Sequence, residues 1–164
     1  VTISRSLTVG ERAMAASLFG DALDLDAVRI VRGKWWPFQP RDVIMAPTGS
    51  IHFHPDNPLW AKDFSTAPLG HQGLVMHELT HVLQAQQRGR FYLPLMRHPF
   101  CRYGYKPEVD RPFGRYGLEQ QAEIVRHAFL LRHGPRRDDL PLLAELETIL
   151  PFGTGPSAQL AQQL

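Results

Sequence analysis

The stretch Met76-His77-Glu78-Leu79-Thr80-His81 sets two histidines four residues apart, with a glutamate directly after the first. On a helix that spacing places both imidazoles on one face, one turn apart, where they can reach a single ion. Glu78 is rotated by about 100° from His77, so it is poorly placed to join the same coordination but can touch a metal-bound water. The H-E-x-x-H pattern serves zinc-assisted hydrolysis: the metal acidifies a water and polarises a carbonyl, and the glutamate takes the proton. With eight histidines and seven glutamates in the chain, shuffling would produce the pattern in roughly one sequence in fifty, so it needs support from its surroundings.

A helix from about Leu69 to Arg88, stopped at Gly89, would position the motif. Val75, Leu79 and Val82 give that helix a separate apolar stripe for the core, and Gly73, one turn before His77, is expected to leave open space beside the metal. A third protein ligand is required if water is to hold the fourth position. No histidine stands at the spacing of the compact HExxHxxGxxH pattern. The better donors lie on a predicted helix over residues 117–133, where Glu119 and Glu123 share one face while Leu118, Ala122, Val125 and Phe129 line another. Glu119 is assigned as the ligand, and Glu123 as the outer partner accepting the free ring N–H of His77 or His81. The reverse assignment stays open, as does a plain solvated acidic face paired with Arg126 and Arg115. A di-iron carboxylate site would need a second E-x-x-H, but Arg126 follows Glu123 at that spacing.

The remaining elements form an α+β domain over residues 1–150, followed by a loose tail over 151–164. Thr8 and Glu11 read as a capping box opening a helix to about Phe19, and Ala27–Val31 reads as a strand. Trp35–Pro40 is an apolar connector. Val43–Ala46 and Ile51–His54 flank the turn signal Pro47-Thr48-Gly49-Ser50 and predict a hairpin. Gly134-Pro135 closes the glutamate helix, and Asp138 or Asp139 is expected to cap a last helix to about Leu150. Between Arg88 and Arg115, seven Lys/Arg face only Glu108 and Asp110, interleaved with Phe91, Tyr92, Phe100, Tyr103, Tyr105 and Phe113. A single-stranded nucleic-acid groove uses such a mixture. No recognition module accompanies it here, so a long Pro-rich loop is expected and nucleic acid is not the expected partner.

Cys101 is the only cysteine, so a metal must be held by His, Asp or Glu. The apolar runs are far shorter than the roughly 20 residues of a membrane span. Val1–Gly10 lacks the pattern of an export signal, so the cytoplasm is one expected location.

HELTHVLQ followed by EQQAE resembles the gluzincin metallopeptidases. LFGDALDLDAVRIV, APTGSIHFHP and GLVMHELTHVLQAQ, in that order, resemble the small zincin-like domain associated with extracellular contractile injection systems. RGKWWPFQPRDVIMAPTGSIHFHPD, HPFCRYGY and RYGLEQQAEIVRHAFLLRHG look like bacterial Vgr-related proteins, and the likeness runs from about Leu7 to Gly134. The resemblance implies a zincin-like fold with a small, mostly antiparallel sheet, and Zn2+ held by His77, His81 and Glu119 with Glu78 as general base. It also implies a peptide or protein substrate lying along an edge strand, for which Ile51–His54 is the candidate. His52 and His54 on that strand read as surface or packing residues. His98, Tyr103, Tyr105, Arg115 and Tyr116 are candidates to stabilise the oxyanion. The alternative function is a non-catalytic, zinc-braced module of an injection or type VI-like secretion apparatus, which would close the metal with a fourth donor such as His98, His52 or Glu123.

Overall fold

The computed structural model of the chain describes residues 2–96 and 100–152. Helix α1 (Val9–Phe19) starts at the expected capping box: the Thr8 hydroxyl accepts from the Glu11 amide at 3.1 Å, and the Glu11 carboxylate accepts from the Thr8 amide at 2.8 Å. Glu11 is fully buried and also accepts both guanidinium arms of Arg5, at 2.7 and 2.8 Å, and the Phe64 amide at 2.8 Å. A buried carboxylate is tolerated only when its lone pairs are met in this way. The cap therefore also ties strand β1 (Ile3–Arg5) and the turn at Phe64–Thr66 to α1.

The sheet contains β1, β2 (Arg29–Arg32), β3 (Ile44–Met45) and β4 (Ser50–Phe53) in the order β1-β2-β4-β3. β1 pairs antiparallel with β2 and β3 antiparallel with β4, while the central β2–β4 pair is parallel, so the sheet is mixed. The hairpin forms with Ile44 opposite Phe53 and Met45 opposite His52, and Gly49 supplies the positive φ of +97° its turn requires. β4 is an interior strand, which corrects its proposed role as the peptide-pairing edge. Its far side is taken by the parallel β2, and the free edge beside it belongs to β3. β1 gave no sequence signal, being three residues long and without buried alternation. In the Trp35–Pro40 connector, Phe38 is 80% exposed, and buried Gln39 anchors the loop by accepting from the Trp35 amide and donating to the Val43 and His52 carbonyls.

Below the sheet, α2 (Leu69–Arg88) spans the expected range, and its Val75, Leu79 and Val82 are buried. Met76, Leu79 and Leu83 join Ile30, Ile51, Phe53 and Phe64 in the core, where the rings of Phe53 and Phe64 stack at 5.0 Å. α2 packs most extensively on α4 (Leu118–His133). Gly73 serves that packing. A Cβ there would lie 2.8 Å from Leu130 Cδ2 and 3.5 Å from Arg126 Cγ, so the glycine admits α4 close to α2, which corrects the expectation that it opens space beside a metal.

The basic segment between these helices contains α3 (Tyr92–Met96) and a single 3-10 turn at Phe113–Arg115, neither of which showed in the sequence. The last described helix, α5 (Leu143–Ile149), begins later than expected: Asp139 is engaged by Arg137 at 2.6 Å, and the helix opens only after Pro141, with Glu145 accepting from the Leu142 amide. Beyond it, Phe152 packs its ring on Phe19 and Phe113. The rest of the expected tail, from residue 153, lies outside the described residues. No described helix is long and apolar enough to cross a membrane.

Candidate metal centre

α2 and α4 bring His77, His81 and Glu119 together, all buried, and among the described residues no other His, Cys, Asp or Glu joins them as a metal-holding group. His77 Nε2 lies 3.2 Å from His81 Nε2, and each is 3.3 Å from Glu119 Oε2. A tetrahedral ion with bonds of about 2.0–2.1 Å has ligand-to-ligand edges of roughly 3.3–3.4 Å, so these three atoms match one face of the coordination tetrahedron of such an ion.

The outer nitrogens determine what the inner ones offer. His77 Nδ1 lies 2.8 Å from Glu123 Oε1, and His81 Nδ1 lies 2.8 Å from Gln84 Oε1. A carboxylate only accepts. The Gln84 amide is oriented by its NH2 end, which donates to the Leu118 carbonyl at 3.1 Å and to Gln121 Oε1 at 3.0 Å. Both histidines therefore donate through Nδ1 and turn an Nε2 lone pair toward the Glu119 carboxylate. Three acceptors converging in a buried space need a cation among them. Without a metal, a proton must serve: burial pushes the His77 imidazole down, but hydrogen bonds to Glu119 and Glu123 and the charge of Glu78 outweigh this and raise it to about 9.

Glu123 thus meets the outer nitrogen of His77. It also accepts from His127 Nε2 at 3.1 Å and from Arg126 Nη1 at 3.3 Å. Burial pushes this carboxyl up, yet the bonds from His127 and His77 and the Arg126 charge hold it well below the usual carboxylate range. His127 Nδ1 in turn meets the Tyr105 hydroxyl at 2.8 Å, and burial, followed by the Glu123 charge, pushes that phenol up. Gln84, Gln121 and His127 were not identified from sequence. Gln84 at i+3 from His81 and His127 at i+4 from Glu123 were the available signals.

Glu78 lines a cleft of about 360 Å³ together with His77, Tyr103, Glu123 and Arg126 and with Asp42, Val43 and Ile44, at the outer strand β3. The structure separates the oxyanion candidates. Tyr103 is half exposed and its ring runs nearly parallel to that of His77 at 6.4 Å, on the cleft. Tyr105 is engaged with His127. Tyr116 is buried, with its hydroxyl accepting from the Glu108 amide and donating to the Lys106 carbonyl. Arg115 is not among the residues lining the cleft. His98 lies outside the described residues. His52 and His54 stay with the sheet, and His54 Nδ1 accepts from the Asp56 amide at 3.1 Å.

No family model matches the chain. It is 36% identical over 133 residues to the type VI secretion system spike protein VgrG2b of Pseudomonas aeruginosa strain PAO1, a match covering 77% of the chain but only 13% of that much longer protein. Among solved structures it matches the effector domain of Pseudomonas aeruginosa VgrG2b at a TM-score of 0.64 and 35% identity, over 77% of the chain and 73% of that domain.

Proposed function

The chain belongs to the family of the VgrG2b effector domain, and from that membership and the three converging donor atoms we propose that it is a zinc-dependent peptidase of the gluzincin kind, with a zincin-like fold, carried as an effector module of a type VI secretion apparatus. The observation that carries the reading is the triangle of His77 Nε2, His81 Nε2 and Glu119 Oε2, whose edges of 3.2–3.3 Å suit zinc and whose three protein ligands would leave a fourth position for chemistry. A zinc ion held there would supply an acidified water and a Lewis acid for a carbonyl.

The chain's own groups carry the rest. Glu78, next to His77 and on the cleft wall, takes the proton of the attacking water and passes it to the leaving peptide nitrogen. Tyr103, also on the wall, is the group placed to donate to the developing oxyanion. β3, the outer strand at the cleft, is where an extended peptide would pair by its backbone. Glu123 and Gln84 fix the two imidazoles.

The test separates metal from chemistry. Purified chain is expected to contain one zinc per molecule by elemental analysis, and no stoichiometric metal would sink the metal assignment. Glu78→Gln is expected to retain that zinc while cleavage of a fluorogenic peptide library falls by roughly 10²–10⁴-fold, the usual worth of a general base. Undiminished cleavage by the variant would remove Glu78 from that role.

A further inference from the structure

Resting on the metal reading above, we infer that Gln84 is a positioning residue that sets His81, and with it the separation of α2 from the start of α4, for the ion. His81 is fully buried, and Gln84 itself is only 5% exposed. One amide holds two parts of the centre at once. Its oxygen takes the His81 Nδ1 proton at 2.8 Å, and its nitrogen donates to the carbonyl of Leu118, the residue immediately before the ligand Glu119. The same nitrogen reaches Gln121 Oε1 at 3.0 Å, and Gln121 Nε2 donates to the Tyr116 carbonyl at 2.8 Å, so the amide is braced by a second amide on α4. The gap it fixes is the one between His81 Nε2 and Glu119 Oε2, 3.3 Å apart although they come from different helices.

The two histidines are consequently held by different chemistry. His77 leans on a carboxylate, which orients the ring and also makes it a more basic ligand. His81 leans on a neutral amide, which orients it without adding charge. A carboxylate at position 84 could not replace the amide, because it would face the Leu118 carbonyl and Gln121 Oε1 with no proton to give. Gln84 supplies geometry, and Glu123 supplies geometry and charge.

The experiment uses the full chain loaded with zinc or with cobalt. Gln84→Met keeps the side-chain volume and removes both ends of the bridge. It is expected to bind zinc about 10–100-fold more weakly in chelator competition, the usual cost of losing an outer partner, and to shift the visible absorption of bound cobalt. A loss of packing alone would leave that spectrum in place. Nitrogen NMR of the unaltered zinc-loaded chain should show His81 carrying a slowly exchanging Nδ1 proton, a measurement that needs no variant to fold. Wild-type zinc affinity and an unchanged cobalt spectrum in Gln84→Met would overturn the inference, as would a His81 ligated through Nδ1. If the unaltered chain binds neither metal, the metal reading falls and takes this inference with it. If it binds and the variant is indifferent, only this inference falls.

Discussion

The helix pair α2–α4 and the segment that joins them, residues 89–117, are built on opposite terms. The helices are periodic, deeply buried and carry His77, His81 and Glu119, the group that could hold a metal ion among the described residues. The connecting segment is irregular, basic and largely exposed, with Phe91, Leu95 and Phe100 each more than 60% accessible. Among its described residues only Tyr103 lines the cleft wall, while Tyr105 and Tyr116 are committed to hydrogen bonds inside the fold. Metal binding is thus expected to depend on the helices and turnover to depend additionally on one tyrosine of the connector. Substitutions can separate the two.

The largest effect should come from Glu119→Ala. It removes one corner of the donor triangle and leaves His77 and His81 as the only inner ligands, so zinc affinity should fall by more than the roughly 10–100-fold expected for an outer partner. Retention of zinc through dialysis would mean that Glu123 or another group ligates instead. The next effect should fall in the connector. Tyr103→Phe should leave zinc content intact and lower kcat by about 10²–10³-fold, the cost of one oxyanion donor. Tyr116→Phe removes a hydroxyl that accepts from the Glu108 amide, and it should register as roughly 1 kcal/mol of stability in a denaturant melt. If the two phenylalanine variants behave alike, the division between cleft tyrosine and structural tyrosine is wrong.

What could be read in the sequence follows the same division. The HELTH spacing, the apolar stripe of Val75, Leu79 and Val82 and the shared face of Glu119 and Glu123 are periodic features, and periodicity survives translation into three dimensions without knowledge of neighbours. Gly73 was legible as special, but its reason was not. The contact it permits is with Leu130, 57 residues away in sequence. Gln84 was hidden for a related reason, since a glutamine one turn beyond a histidine looks like a solvated helix position until the Leu118 carbonyl is known to lie against it. The edge strand was misplaced because Ile51–Phe53 shows good alternation, and alternation cannot say that the parallel β2 occupies its other side. Short contacts across the chain account for what the sequence withheld.

The smallest expected effect of a substitution is a shift in the pH dependence set by the proton that stands in for the metal, and it connects the two regions through Glu123. In protein stripped with a chelator, His77 holds its proton up to about pH 9, against 6.5 for a free imidazole. A raised value in the folded state means that this proton stabilises the metal-free fold fully below about pH 6.5, with the contribution lost as pH rises through about 9. Zinc must displace the same proton, so its apparent affinity should rise by up to about tenfold per pH unit as pH climbs toward about 9 and then level off. Chelator competition at several pH values measures this directly. Glu123→Gln removes one of the three carboxylates that raise His77, so its pH dependence should end at a lower pH, while Tyr105→Phe, two contacts beyond Glu123 through His127, should move it less. A zinc affinity independent of pH across that window would show that His77 is already neutral in the stripped protein, and that the charge of Glu123 does not reach the centre through it.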